Sequence, residues 1–265
     1  MPPIKNYRLG LDLGSTAAKA ALIDAAGAIL GLRLDASGQT PADAAAGLAE
    51  TLLGEHNLAP DNPDVGIVAT GYGRSLAGSA GRKVTEITCH ARGVRHLHAE
   101  AATILDIGGQ DAKAIRLDAD GGVQDFAMND RCAAGTGCFL EVAARRYGVA
   151  IAELSDFCGG EPGVGETTEP FEISSTCVVF AESELVGLHA KGMPPVEALR
   201  AVHRAIARRV ALLLKQVGAV EPLYFTGGVA QNPTLRKAVA TATGLEVRPA
   251  MHPQFTGAIG AALLA

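Results

Sequence analysis

Cysteines beside small and hydroxyl residues have the most distinctive potential chemistry in this sequence. Cys132 lies in MNDRCAAGTGCFLE and Cys177 lies in ISSTCVVFAESE, and each precedes a predicted helix. Unpaired N–H groups and the macrodipole at a helix N-terminus stabilise anions, so both positions favour a thiolate or a negatively charged cluster. The Cys132 segment alone is compatible with a disulfide, a nucleophile, a phosphate-binding turn or a metal ligand.

The spacing of these two cysteines limits the kinds of metal site that one chain can form. They are too far apart in the sequence for the closely spaced Cys-X₂-Cys pairs of compact zinc sites. Two ligands per chain are too few for a cluster held by four cysteines. A two-fold dimer would supply four ligands around one axis. The alternative is that both are buried free cysteines that pack as small hydrophobic residues.

Two aspartates at the ends of apolar runs form the second group of candidates. Asp12 begins DLGSTAAK and Asp106 begins DIGGQDAK. A carboxylate at the end of a buried strand needs a partner, and two of them facing a cleft can organise Mg²⁺ and its waters. We therefore predict that Asp12 and Asp106 are catalytic, and that Gln110 orients an attacking water.

Glycine-rich turns beside these aspartates offer N–H and hydroxyl groups to phosphate oxygens. A third turn, TGGVAQN, can let a base and ribose lie against the backbone. None of the three turns matches a P-loop or a dinucleotide-binding fingerprint, but together they indicate a nucleotide site. The predicted cofactor-binding residues are Gly14, Ser15, Thr16, Lys19, Gly108, Gly109, Gly135, Thr136, Gly137, Gly227, Gly228, Val229 and Gln231.

The two aspartate turns belong to one repeated pattern. LDLGSTAAKAALIDAAGAI matches LDIGGQDAKAIRLDADGGV at a constant offset, which aligns Asp12 with Asp106 and Lys19 with Lys113. Each copy predicts strand, turn, strand, turn, strand and then helices. Apolar residues at three- and four-residue steps predict the longest helix over Pro195–Val217.

The composition is typical of a globular protein with an aliphatic core. The 265 residues are 48 % hydrophobic and 19 % charged, and the formal net charge is −5. That charge disfavours nucleic acid as the main partner, and no stretch approaches the roughly 18–20 apolar residues that span a membrane. Because the N-terminus also lacks a signal-peptide pattern, we expect a cytoplasmic protein. There, five cysteines indicate free thiols or metal ligands.

Several motifs resemble a known protein family. DLGST, DIGGQD and TGGVAQN are similar to the two phosphate motifs and the adenosine motif of the actin–Hsp70–sugar-kinase ATPase superfamily. With ATGYGR, EITCHARG, both cysteine motifs and GAIGAALLA, the chain from about Leu9 to Ala265 resembles the BadF/BadG-type family. That family contains ATP-dependent activators of 2-hydroxyacyl-CoA dehydratases and ATPase subunits of benzoyl-CoA reductases.

The resemblance implies a duplicated α/β fold with two domains around a nucleotide cleft. We expect a first domain at 1–100, completed by a C-terminal helix at 256–265, and a second domain at 101–255 that carries the cluster cysteines. It also implies a homodimer with one [4Fe–4S] cluster, held by Cys132 and Cys177 of each protomer. ATP hydrolysis with Mg²⁺, leaving ADP, would drive a low-potential electron into a dehydratase or reductase component, and a flavodoxin or ferredoxin would restore it.

Other functions stay open at this point. A benzoyl-CoA reductase subunit would use the same chemistry in a permanent hetero-oligomer. A small-molecule kinase of this fold would need a carboxylate base near its substrate, and no loop offers a convincing candidate. A filament former or nucleotide sensor would bind ATP without a cluster. The remaining cysteines are predicted to be structural, Cys89 and Cys138 among them.

Overall fold

Two five-stranded sheets organise the computed structural model, which describes residues 5–36, 40–129, 132–159, 171–173 and 178–265. The first sheet has the order β3-β2-β1-β4-β5 and the second β8-β7-β6-β9-β10. Every strand number in the second order is that of the first plus five, so the two sheets repeat one topology. This repetition confirms the duplication predicted from the sequence.

The strands of the first sheet are β1 (Tyr7–Leu13), β2 (Ala18–Asp24), β3 (Ile29–Asp35), β4 (Val65–Thr70) and β5 (Arg82–Lys83); those of the second are β6 (Thr103–Ile107), β7 (Ala112–Leu117), β8 (Val123–Asn129), β9 (Leu223–Thr226) and β10 (Val247–Pro249). Within the first sheet β1 runs antiparallel to β2 and parallel to β4. The predicted order of strand, turn, strand, turn, strand is confirmed in both copies.

The helices are α1 (Pro41–Gly54), α2 (Glu86–Leu97), α3 (Gly137–Arg146), α4 (Leu154–Gly159), α5 (Val178–Ala190), α6 (Pro195–Gln216), α7 (Pro233–Thr243) and α8 (Thr256–Ala262). Short 3₁₀ helices follow β4 at Tyr72–Leu76, precede α3 at Ala133–Gly135 and follow β9 at Gly228–Gln231. Within the described residues, no helix has the length and apolar character needed to cross a membrane.

The described residues form two compact units. The first contains those within 1–104, 117–125 and 250–265, and the second those within 105–116 and 126–249. These units do not test the domain limits that were predicted from the sequence, and those limits stay a prediction.

Close backbone approach defines the first unit, where α8 packs on β1, β2 and α2. A Cβ at Gly10 would overlap the carbonyl oxygen of Ala258, and one at Gly260 would overlap that of Cys89. Only glycine allows helix and strand backbones to approach this closely. The small residues of the C-terminal helix therefore place its first turn beside the end of β1.

The core of the second unit is built around α6. One stripe of this helix is fully buried, at Leu199, Val202, Ile206 and Val210, which agrees with the periodicity of the sequence. Phe139 and Leu140 of α3 belong to the same cluster. Helix α6 therefore supports the start of α3.

Candidate functional site

The first aspartate turn joins β1 to β2. Asp12 is 6 % exposed at the end of β1, and the N–H of Gly14 donates to the carbonyl oxygen of Ala17 at 3.2 Å. Lys19 Nζ lies 3.8 Å from Asp12 Oδ2. Ser15 and Thr16 are exposed at the tip of the turn. The structure therefore brings the predicted group together, with exposed hydroxyls beside a buried carboxylate.

Glycines crowd the Asp12 carboxylate from two sides. A Cβ at Gly71, whose φ is +87°, would lie 2.7 Å from Asp12 Oδ1, and a Cβ at Gly257 would lie 2.9 Å from Oδ2. The same Cβ at Gly257 would lie 3.2 Å from His90 Nε2. The other ring nitrogen of this histidine, Nδ1, lies 3.0 Å from Thr256 Oγ1. Sequence reasoning did not assign these residues to the site. The signal was in ATGYGR and in the small residues near the C-terminus.

The second aspartate turn joins β6 to β7 and contains a buried charge network. Asp106 is 3 % exposed and Lys113 is 1 % exposed. Lys113 Nζ lies 3.3 Å from Asp106 Oδ2 and 2.8 Å from Asp111 Oδ1. Thr226 Oγ1 donates to Asp106 Oδ1 at 2.8 Å. The Gly108 N–H donates to the Asp111 carbonyl at 2.9 Å, which repeats the bond that closes the first turn.

The third glycine turn follows β9 and reaches the same carboxylate. Gly227 has φ of +85°, and a Cβ there would lie 3.1 Å from Asp106 Oδ1. Gly71 therefore crowds Asp12 as Gly227 crowds Asp106, and each glycine follows a threonine. Sequence comparison missed this second repeat, because its identity is confined to a Thr-Gly pair after a strand. Gln110, Gly228 and Gln231 are exposed near these turns.

Hydrogen bonds join the second turn to the start of α3. The N–H groups of Gly137 and Cys138 donate to the carbonyl oxygens of Gly108 and Gly109, both at 2.9 Å. Thr136 Oγ1 also donates to Gly109 at 2.9 Å. A Cβ at Gly137 would lie 3.1 Å from Val229 Cγ2 of the third turn. The structure therefore brings five of the predicted residues together: Gly108, Gly109, Thr136, Gly137 and Val229.

These bonds correct one expectation about Cys132. The thiol was predicted to lie at a helix N-terminus whose N–H groups are unpaired. Cys132 does precede a helix, as the N-cap residue of the 3₁₀ helix Ala133–Gly135, but the first N–H groups of α3 beyond it are already bonded to the second turn. The start of α3 is therefore a connection between the second turn and the cysteine loop, which comprises residues 132–136.

The cysteine loop itself is anchored by its backbone. Asn129 Nδ2 donates to the Cys132 carbonyl oxygen at 2.9 Å, and the Cys132 side chain is half-buried. Cys177 lies outside the described residues. The described part of the chain holds no group of three or more His, Cys, Asp and Glu side chains placed to bind a metal ion. The Cys132 sulfur is therefore partly accessible to a ligand.

Two other cysteines are held as neutral thiols. Burial raises the pKa of the Cys89 thiol to about 11, and burial likewise raises the pKa of Cys158 to about 11. A thiol that remains protonated near neutral pH is a poor nucleophile and metal ligand. Both values support the expectation that these residues are structural.

Comparison with known proteins shows which family the chain is similar to. The model of the BadF/BadG/BcrA/BcrD ATPase family matches residues 9–265. The chain is 39 % identical over 260 residues to the (R)-2-hydroxyglutaryl-CoA dehydratase activating ATPase of Acidaminococcus fermentans, covering 98 % of this chain and 96 % of that one. It is 36 % identical over 218 residues to a benzoyl-CoA reductase subunit of Thauera aromatica, covering 80 % and 74 %.

A solved structure shows the same fold. The activator of the 2-hydroxyisocaproyl-CoA dehydratase from Clostridium difficile, with bound ADPNP, has a TM-score of 0.87 at 38 % identity, covering 98 % of this chain and 94 % of that chain. More distant solved structures share the fold at under 25 % identity. The predicted fold class, the duplicated α/β fold of actin, Hsp70 and the sugar kinases, is confirmed.

Proposed function

The chain belongs to the BadF/BadG/BcrA/BcrD ATPase family, and from this premise we propose that it is an ATP-hydrolysing activator. It drives a low-potential electron into a partner of the 2-hydroxyacyl-CoA dehydratase type. Its match to a dehydratase activating ATPase over 96 % of that protein supports this role. The match to the benzoyl-CoA reductase subunit covers 74 % of that protein, which makes a role in such a reductase the second candidate.

The hydrogen bonds between the second turn and α3 carry this proposal. The Gly108 and Gly109 carbonyls accept from Gly137 and Cys138, so a displacement of the turn is transmitted to the segment that follows Cys132. Backbone bonds of this kind connect two sites through a rigid element rather than through flexible side chains. A nucleotide that moves the second turn therefore moves the cysteine loop.

We assign nucleotide-binding roles to residues of both units. Asp12 and Asp106 are buried carboxylates that orient the waters of Mg²⁺, which when bound supplies charge stabilisation to the phosphates. Lys19, Ser15 and Thr16 bind phosphate oxygens at the first turn. Exposed Gln110 orients the attacking water. Gly227, Gly228, Val229 and Gln231 receive the base and ribose.

The cysteines hold the electron carrier in a homodimer. Cys132 and Cys177 of each protomer would ligate one [4Fe–4S] cluster, which when bound would supply a one-electron couple at low potential. A half-buried thiol on a loop fixed by Asn129 can reach a group shared with a second protomer. A flavodoxin or ferredoxin restores the reduced state. A small-molecule kinase has no comparable use for this loop.

Iron and sulfide counting on anaerobically purified protein tests the proposal. The wild-type homodimer is expected to hold about two irons per chain, because one four-iron cluster is shared by two chains. Cys132→Ser is expected to lose the iron and keep ATP binding. Cys138→Ser is the matched control, since Cys138 is also half-buried and is assigned no ligand role; it is expected to retain the iron.

Two outcomes would contradict this function. Iron content unchanged in Cys132→Ser would remove the cluster assignment. A wild-type protein that binds ATP but takes up no iron after anaerobic reconstitution would favour the kinase or the nucleotide sensor.

A further inference from the structure

A buried histidine of α6 lies behind the third glycine turn. His203 is 1 % exposed, and it belongs to neither the nucleotide motifs nor the cysteine motifs. Its Nδ1 lies 2.8 Å from the Leu199 carbonyl oxygen of the same helix. Its Nε2 lies 3.0 Å from Asn232 Nδ2, at the end of TGGVAQN. Both ring nitrogens are therefore engaged, one within α6 and one with the turn.

The hydrogen-bond pattern determines which atom carries each proton. The backbone N–H of Leu235 donates to Asn232 Oδ1 at 2.9 Å, so the NH₂ group of this amide must face His203. An NH₂ group only donates, so Nε2 must be the unprotonated acceptor. Nδ1 then carries the proton and donates to Leu199. The imidazole is neutral in this arrangement.

Asn232 links His203 to both of its neighbouring elements. Its side chain caps α7 through Leu235, and its own N–H donates to the Val229 carbonyl at 3.0 Å, closing the 3₁₀ helix Gly228–Gln231. Arg236 Nη1 donates to the Ala230 carbonyl at 2.8 Å from the first turns of α7. The Asn232 amide is therefore held between His203 and Leu235, and its backbone is part of the third turn.

We propose that His203 is a positioning residue: as a neutral acceptor it orients Asn232 and so fixes the third glycine turn that receives the nucleoside part of ATP. This inference rests on the proposed nucleotide binding and assigns a residue to it. His203 does not contact the reacting groups. Its loss is therefore expected to weaken ATP binding rather than to slow the hydrolysis step.

The electrostatic surroundings agree with a neutral imidazole. Burial lowers the pKa of His203 from its ordinary value and outweighs the hydrogen bonds to Leu199 and Asn232, which act in the opposite direction; the guanidinium of Arg204 also lowers this pKa. Among the described residues of α6 and of the elements packed on it, Arg204 is the charged group that acts on the ring. On the side of α7, the ring faces the N-cap residue Asn232, which is uncharged. Protonation would place an N–H against an NH₂ group, so the charged form has no partner there.

Three variants test the proposal by ATP titration and steady-state ATPase kinetics between pH 6 and pH 8. His203→Leu leaves a buried NH₂ group without an acceptor, which is expected to raise the Kd and KM for ATP roughly tenfold with kcat kept within about twofold. His203→Gln is expected to restore near-wild-type affinity, because its amide oxygen can replace Nε2 as the acceptor.

Asn232→Asp is the variant whose pH dependence distinguishes positioning from general stability. Aspartate also caps α7, but its second oxygen then faces the unprotonated Nε2 at pH 8. Protonation of the imidazole turns this repulsion into a charged hydrogen bond. The affinity of Asn232→Asp for ATP is therefore expected to improve as the pH falls from 8 to 6, while that of the wild type does not improve.

The outcomes separate this inference from the function on which it rests. Wild-type protein that fails to bind ATP would refute the proposed function together with the role of His203. Wild-type binding, with unchanged affinity in His203→Leu and no pH-dependent gain in Asn232→Asp, would refute the role of His203 alone. Loss of affinity in His203→Gln equal to that in His203→Leu would also refute it, because the acceptor would then not matter.

Discussion

Lys113→Met is expected to destabilise the protein strongly, because Lys113 is the cation between two carboxylates. Asp106 and Lys113 are 3 % and 1 % exposed, so solvent screens this ion pair very little. Removing one partner of a buried pair costs about 3–5 kcal/mol, since the other charge is left uncompensated. For a chain of this size that corresponds to a melting temperature roughly 10 °C lower, measured by differential scanning calorimetry without nucleotide.

Lys19→Met is the matched control from the first copy of the repeat. Lys19 has one carboxylate at 3.8 Å, and its side chain is 18 % exposed. Its removal is expected to lower the free energy of unfolding by about 1 kcal/mol but to weaken ATP binding, because Lys19 is assigned to phosphate. Equal losses of stability in the two variants would refute the distinction drawn between the two lysines.

A double variant checks the charge argument itself. Adding Asp106→Asn to Lys113→Met removes the buried charge that the single variant leaves unpaired. The double variant is therefore expected to be more stable than Lys113→Met, with a coupling of about 0.5–3 kcal/mol. Additive losses would show that Lys113 acts through packing of its aliphatic stem and not as a counter-ion.

Two further predictions concern crowding at Asp12 and the buried thiols. Gly257→Ala would place a Cβ 2.9 Å from Asp12 Oδ2, so the rate of ATP hydrolysis should fall; Gly47→Ala in α1, where nothing lies within 4 Å of the added Cβ, should instead leave the rate unchanged and stabilise the protein by about 1 kcal/mol. Cys89 and Cys158 are buried, and burial raises their pKa to about 11. Their alkylation by iodoacetamide, followed by mass spectrometry, should therefore be slow at pH 8. Fast labelling at pH 8 in the folded protein would contradict the burial argument.

Local pattern was sufficient to predict the regular elements. The sequence predicted strand, turn, strand, turn, strand in each copy and a long helix over Pro195–Val217, and the structure has these strands and a helix over Pro195–Gln216. Turn residues and apolar periodicity decide such segments over short distances along the chain. The same information grouped Asp12 with its turn, since those residues are neighbours in the sequence.

Tertiary contacts decided the features that sequence reasoning missed. Lys19 and Lys113 occupy equivalent places in two similar motifs, yet only Lys113 is almost fully buried, because Asp111 and the surrounding second unit enclose it. Gly257 enters the site through packing of α8 on β1, which a local pattern does not encode. The helix start after Cys132 was predicted correctly, but the partners of its N–H groups come from a turn far away in sequence.

The two copies of the repeat therefore differ in their connections: among the backbone hydrogen bonds of the described residues, only those of the second copy link its aspartate turn to the segment that follows Cys132. In the first copy the turn after Asp12 closes on itself through Gly14 and Ala17 and exposes two hydroxyls. In the second copy the turn after Asp106 makes the same closing bond, and its Gly108 and Gly109 carbonyls also accept hydrogen bonds from the helix behind Cys132. Under the proposed function, a change at the phosphates acts on a closed turn in the first copy, whereas in the second copy the turn has a covalent and hydrogen-bonded connection to Cys132. If the proposed cluster is held there, the asymmetry of the repeat explains how one unit of an old duplication came to couple nucleotide hydrolysis to electron transfer.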